Sequence, residues 1–421
     1  MSQRKLRWIA VRVTVAMVLA ISAWPATEKI LYSFTGGNDG NGPYSSLVFD
    51  QKGNLYGTTT SGGAYSGGTV LELSPNSNGA WTETVLYSFG AYTGDGTLPN
   101  SAGPLVFDAN GNLYGTTQVG GNSNSCPFHE GCGTVFELSP SPGRIWKETI
   151  LHSFNDLADG AEPLGNVVVD NDGDSLYGTA VAGGDPSCGC GTIFRLSHRE
   201  NGWAFTTLHT FSVSDGAFPF AGLSLSPSGL LWGTTNAGGA YTNGNVFKLQ
   251  PDGKGYQSVF SFNYYDGGQP GLGPLVFGID GHVLGTTSSG GCGPDAGIVF
   301  MLVQPVKHQY RLATLDCFGR ATDGNEPYGG LFVEKPGYLY GTTFRGAGTQ
   351  LVCDLGGCGT VFKLVSQKDQ GWKETILYRF QGTPDAQYPI GGVVMDNSGN
   401  LYGTTWQGGT YGFGTVYEIT P

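Results

Sequence analysis

The phrase NLYGTT at residues 54–59 is written six more times along this chain of 421 residues. It returns as NLYGTT (112–117), SLYGTA (175–180), LLWGTT (230–235), HVLGTT (282–287), YLYGTT (338–343) and NLYGTT (400–405), at intervals of 52 to 63 residues. A period of this size is the signature of a repeat architecture. Each copy keeps the same neighbours. Upstream lies a short apolar run such as SLVFD (46–50) or PLVFD (104–108). Downstream, after a glycine-rich loop, comes a run such as GTVFEL (133–138) or GTVFKL (359–364). A fourth run opens on an aromatic residue and closes on phenylalanine, as in WKETILHSF (146–154). Apolar, β-branched and aromatic runs bounded by Gly, Asn, Asp and Pro read as antiparallel strands, here A to D in each unit. Asp50 and Gly53, like Asp108 and Gly111, supply the A–B hairpin turns.

Seven four-stranded units predict an all-β protein, a seven-bladed β-propeller of four-stranded antiparallel blades. The last unit contributes only strands A to C before Pro421, whereas EKILYSF (28–34) is a D strand standing alone at the other end. The N-terminal strand is therefore expected to complete the last blade, removing the open ends a linear solenoid would leave. No single copy of the phrase has enough apolar surface for a core. Leu55 and Tyr56 are expected to pack on the next blade, and Gly57 to admit a neighbouring ring or backbone. The 72 glycines lack the Gly-X-Y period of collagen, and 39% hydrophobic residues separate the chain from disordered sequences.

The first residues follow a different plan. Arg4, Lys5, Arg7 and Arg12 precede an apolar stretch, Val13–Ala23, that ends on Ile21-Ser22-Ala23. This is the pattern of a secretory signal peptide over residues 1–23, too short in its uncharged run to span a bilayer. Residues 24–421 are then one propeller domain, secreted or held in the cell envelope. No membrane insertion is expected after cleavage, and a monomer is expected. A net charge of −12 makes nucleic acid a poor partner.

The combination LYGTT–GG–GTVF–L with an ETxLYSF strand resembles the GloVer tandem-repeat family of exported bacterial proteins, over nearly all of residues 24–421. The order P…LVFD..GNLYG also carries a looser likeness to NHL-type propellers. The GloVer resemblance implies export and a propeller, and it implies no catalytic residues. Members often carry surface-sorting anchors after the repeats, and this chain is expected to lack one.

Eight cysteines in an exported chain predict disulfides. Cys126–Cys132 and Cys353–Cys358 are expected to staple B–C loops. Cys188 and Cys190 enclose one residue, and Cys292 and Cys317 lie at the same end of one blade. The competing reading of CPFHEGC, with His129 between two cysteines, is a zinc site, but the spacing matches no strong zinc pattern. No metal or cofactor is expected.

A second motif recurs in every D–A loop, as in DGNGP (39–43) and DGAEP (159–163). In a propeller the D–A and B–C loops share one face, so Asp39, Asp95, Asp159, Asp215, Asp266, Asp323 and Asp385 are expected to ring the channel mouth. Asp followed by Gly also makes Asx-turns, and that structural reading stands beside a ligand-binding one. The same face gathers Tyr65, Tyr241 and Tyr411, with Tyr92, Phe128, Tyr264, Tyr265, Tyr328, Tyr388 and Phe413. Aromatic rings beside Asp, Asn and Gln suit a glycan or a protein. GxSxG, HExxH and P-loop patterns are absent. The leading expectation is a non-catalytic binding propeller. The alternative is a carbohydrate-active hydrolase or lyase using Glu162 and Glu326 with a loop aspartate.

Overall fold

The computed structural model describes residues 26–421, except 100, 101, 124, 127–130, 144, 157, 171, 295, 304–309, 320–322, 347–352, 354, 355, 368 and 369. The expected signal peptide, Phe128 and His129 therefore lie outside the described residues.

Seven antiparallel sheets of four or five strands follow one another along the chain. In the first blade A to D are Val48–Phe49, Leu55–Ser61, Thr69–Pro75 and Trp81–Ser88, and the same order recurs in the next five. The last blade joins Val394–Met395, Leu401–Thr405 and Thr415–Thr420 to the N-terminal strand Thr27–Ser33. Thr27 pairs with Thr420 and Ser33 with Thr415 in antiparallel register. The fold is thus the predicted seven-bladed propeller, closed by its N-terminal strand.

The core lies between blades. In six of the seven seams the phenylalanine closing the D strand meets the aromatic residue on strand C of the next blade; in the seventh Phe34 packs with Leu71. Phe89–Phe136, Phe154–Phe194, Phe211–Phe247, Phe262–Phe300, Phe318–Phe362 and Phe380–Tyr417 have ring centroids 5.0 to 5.3 Å apart. All these rings are buried. Tilted or edge-on pairs at this spacing add to the gain from area burial. The glycine of the LYGTT phrase answers to the same packing. A Cβ on Gly233 would stand 2.5 Å from Phe247 Cζ and 3.0 Å from Leu223 Cδ2. The C-strand ring and the A-strand leucine press on the bare backbone.

The two threonines of the phrase also have separate tasks. The second bonds across its own blade, as in Thr59–Thr69 and Thr405–Thr415, both 2.8 Å. The first donates to a carbonyl in the next blade: Thr116 to Gly165 (3.1 Å), Thr179 to Ala221 (3.0 Å) and Thr342 to Gly391 (2.9 Å). Thr404 donates to Ser45 (2.8 Å), joining the last blade to the first.

Strand A is shorter than its apolar run suggests, two residues in most blades. Toward the channel its backbone leaves the ladder and bonds to the next blade instead, as in Ser46 N–H to Ala102 O (3.1 Å) and Gly273 N–H to Tyr328 O (2.9 Å).

Candidate functional site

The loop face is shaped by the residue before the proline of each D–A motif. Leu98, Glu162, Phe218, Gln269, Glu326 and Tyr388 adopt left-handed backbone, φ 50° to 63°, as does Gly42 at φ 65°. For a residue with a side chain this costs of order 1–3 kcal/mol and persists only where the surroundings over-determine it. Two hydrogen bonds do so. The N–H donates to the B–C loop of the preceding blade, as in Leu98 to Gly67 O, Glu162 to Cys132 O and Tyr388 to Cys358 O, each 2.8 Å. The C=O accepts from the residue after the GTT phrase of the following blade: Gln118 N–H to Leu98 (2.9 Å), Asn236 to Phe218 (3.0 Å) and Trp406 to Tyr388 (3.0 Å). Cys132, Cys190 and Cys358, which all supply such acceptors, are disulfide-bonded. The four bridges are Cys126–Cys132, Cys188–Cys190, Cys292–Cys317 and Cys353–Cys358.

This clamp brings two sets of side chains to the channel mouth: the residue after GTT and residues flanking the loop proline, such as Tyr44, Phe220, Leu272, Tyr328 and Ile390. They enclose a cavity of about 460 Å³. Tyr44, Phe220, Leu272, Tyr328 and Ile390 form its apolar wall, Asn236, Gln269 and Ser288 one polar side, and Phe344 and Trp406 an aromatic side. A smaller cavity of about 110 Å³ continues it past Ala102 and Leu164. Tyr328 meets Phe344 at 5.3 Å and Phe344 meets Tyr388 at 5.0 Å. Trp406 keeps 37% of its surface exposed. Arg345 lies 5.1 Å from the Phe344 ring and bonds Glu326 at 2.9 Å. Burial pushes the Tyr44 hydroxyl up to about 12. Burial and the neighbouring Glu326 raise Tyr328 further. Both phenols therefore remain neutral hydrogen-bond donors. The mouth does not keep seven-fold symmetry: one side is aromatic, the other amide.

The seven aspartates of the D–A loops do not line this cavity. Five of them, Asp39, Asp95, Asp159, Asp215 and Asp385, hold their loop to the outermost strand. Asp39 accepts from Tyr32 Oη (3.0 Å) and Thr35 N–H (2.7 Å), Asp95 from Tyr87 Oη (3.0 Å) and Gly90 N–H (2.8 Å), and Asp385 from Tyr378 Oη (3.2 Å) and Gln381 N–H (2.7 Å). Asp159 and Asp215 meet the D-strand rings of His152 and His209 at 3.0 Å. Those histidines stack on Phe205 and Tyr256 of the next blade, centroids 3.9 and 3.8 Å apart. Asp266 turns on Asn263, its N–H donating to Oδ1 at 2.9 Å, and Asp323 is buried. Glu162 bonds Gln118 at 3.1 Å. Neither Glu162 nor Glu326 lines the cavity. Among the described residues no group of three or more His, Cys, Asp or Glu is placed to hold a metal ion.

Tyr65, Tyr241 and Tyr411 stand 57%, 58% and 58% exposed on like B–C loops. Those loops rest on the ends of D strands, at Ser88, Ser261 and Ser33, so the three tyrosines occupy the outer rim. Of the loop aromatics singled out in the sequence, Tyr328 and Tyr388 join the mouth cluster. The sequence reading missed Phe344, Trp406, Tyr44 and Phe220. Aligning the repeats exposes the signal: Thr60, Gln118, Val181, Asn236, Ser288, Phe344 and Trp406 differ while GTT before them stays nearly constant.

Among solved structures, the chain superposes on the extracellular domain of a putative hybrid two-component system from B. thetaiotaomicron with a TM-score of 0.53 and 15% identity, over 94% of this chain and 41% of that one. A GH74 xyloglucanase from Xanthomonas campestris gives 0.52 and 14%, over 90% and 52%. A protein of unknown function from Dyadobacter fermentans gives 0.50 and 11%, over 94% and 98%. The chain thus spans about two fifths of the first and about half of the second. At these identities the likeness shows the fold. No curated protein matches the chain in sequence. The Gloeobacter/Verrucomicrobia repeat matches residues 18–187, 127–300 and 224–421. These matches cover most of the chain, which belongs to the Gloeobacter/Verrucomicrobia repeat family.

Proposed function

We propose that this protein is an exported, non-catalytic propeller that binds a glycan at its channel mouth. The observation that carries this reading is the one-sided cavity of about 460 Å³. Its size falls within the ~300–1,000 Å³ of small-ligand sites. A sugar ring has an apolar C–H face and a hydroxyl edge. Trp406 and Phe344 offer a surface for the first, and Asn236, Gln269 and Ser288 offer donors and acceptors for the second. Four disulfides suggest an oxidising, extracellular environment, which agrees with export. Among the described residues no helix is long and apolar enough to cross a membrane.

A hydrolase on the same face needs two carboxyl groups flanking the bond to be cut. Glu326 is paired with Arg345 and Glu162 with Gln118, and the cavity wall carries no carboxylate. Sharing a fold with a xyloglucanase does not supply the missing acids. The test is a glycan array, followed by incubation of any hit with the protein and chromatography of the products. Retention of an intact oligosaccharide is expected. Shortened products would replace binding with hydrolysis, and silence on the glycan array alongside capture of a protein ligand would move the site to protein recognition.

A further inference from the structure

The opposite face, built by the A–B hairpins, has an open cavity of its own. In four seams the B-strand aromatic of one blade meets the aromatic that opens the next blade's D strand. Between blades four and five these are Trp232 and Tyr310, 5.6 Å apart. The chain's own Lys248, on strand C, places its ammonium 5.4 Å from the Trp232 ring and 5.1 Å from the Tyr310 ring. In blade six Lys363, at the same strand C position, lies 5.1 Å from Tyr340 and from Tyr338, two rings of one B strand. The Trp232–Tyr310 pair is therefore a cation seat, filled from within the chain.

Between blades one and two the same rings recur with the charge reversed. Tyr56 meets Trp146 at 6.4 Å and Phe107 at 5.0 Å. The strand C position held by Lys248 is here Glu72, which pairs in register with Tyr56. Asp50 and Asp108, the carboxylates of the two hairpin turns, flank an open cavity of about 420 Å³ over these rings. Asp50 bonds Asn54 and Tyr56 Oη within its own turn, so its position is fixed. The neighbouring anionic seams are less open to a cation. His198 stands 5.2 Å from Trp203 in one, and Lys29 lies near Glu418 in the other.

We infer that the Tyr56–Phe107–Trp146 box, with Asp50 and Asp108 on its rim and Glu72 beside Tyr56 on strand C, binds the ammonium group of a small organic cation. Aromatic faces attract such a group through their quadrupoles, and desolvation strengthens the attraction. The carboxylates complement its charge, and Glu72 brings no cation of its own where Lys248 fills the box between blades four and five. Lys52, exposed at the rim, opposes the cation and sets a limit on affinity.

The test is calorimetric titration of the purified chain with choline and with its uncharged isostere, 3,3-dimethylbutan-1-ol. Choline is expected to bind with a Kd of about 1 mM or tighter, and the isostere at least about tenfold more weakly. Glu72→Lys copies the blade-four arrangement, so it should fold with an unchanged melting temperature and weaken choline at least about tenfold. Trp146→Phe, a smaller ring, should weaken choline severalfold. Equal binding of choline and the isostere, no heat with choline up to about 20 mM, or a folded Glu72→Lys protein that binds choline normally would each overturn the inference.

Discussion

Raising the pH should loosen three seams of the ring. Glu28, Glu83 and Glu148 lie on D strands, half-buried against the D–A loop that enters their own blade. Burial, and then the charges of Asp385, Asp39 and Asp95 respectively, push each carboxyl from 4.5 to about 7; for Glu148 a hydrogen bond from Tyr92 works against the shift. A folded-state value above the unfolded one means that the folded protein keeps protons the unfolded chain has released. The stabilisation is complete below the ordinary carboxyl range and is lost as pH rises through about 7. At ~1.36 kcal/mol per pH unit the full shift corresponds to about 3 kcal/mol for each group. Each side chain still touches water, and screening reduces this to about 1 kcal/mol. Glu83→Gln keeps the shape and removes the titration. Urea unfolding followed by tryptophan fluorescence should show the variant about 1 kcal/mol more stable than the parent at about pH 8, and no more stable at about pH 5. A variant equally destabilised at both pH values would refute the reasoning, because it would mean that the folded seam holds Glu83 ionised and well bonded.

Three further outcomes follow from the packing. Removing residues 26–34 uncovers the edge of Thr415–Thr420 and deletes the fully buried Phe34, so gel filtration should show association and the melt should lose cooperativity. Gly233→Ala drives a methyl group into the Phe247 ring and should cost about 1–3 kcal/mol, read as a lower urea midpoint with an unchanged slope. Breaking Cys292–Cys317, which closes a span of 25 residues, should cost about 3.5 kcal/mol by loop entropy, more than the ~2 kcal/mol for Cys126–Cys132 with a separation of 6, as checked by unfolding of the Cys→Ser pairs.

The architecture was legible because every blade must solve the same packing problem. Leu, Tyr, Gly, Thr and Thr recur since each blade needs a seam contact, a bare backbone under the C-strand ring, a bond within the blade and a bond to the next one. The stray EKILYSF strand gave the closure for the same reason. This logic also explains why the site was hard to see. Asp39, Asp95, Asp159, Asp215 and Asp385 recur because their D–A loops are anchored to the preceding D strand, so their repetition marks scaffold. Side chains at the mouth answer to no packing rule and vary from blade to blade. Phe344 and Trp406 follow GTT where other blades carry Thr60, Gln118 or Ser288. In a ring of near-identical modules, the residues that break the repeat are the ones free to meet a ligand.

The most direct measurement compares two variants against one bound oligosaccharide. Trp406→Ala removes the exposed ring of the mouth, and Asp215→Asn alters a loop carboxylate outside it. The account predicts that Trp406→Ala weakens binding at least about tenfold while Asp215→Asn leaves it within about twofold. Affinity lost with Asp215→Asn and kept with Trp406→Ala would contradict it, and would return the ligand to the acidic loops.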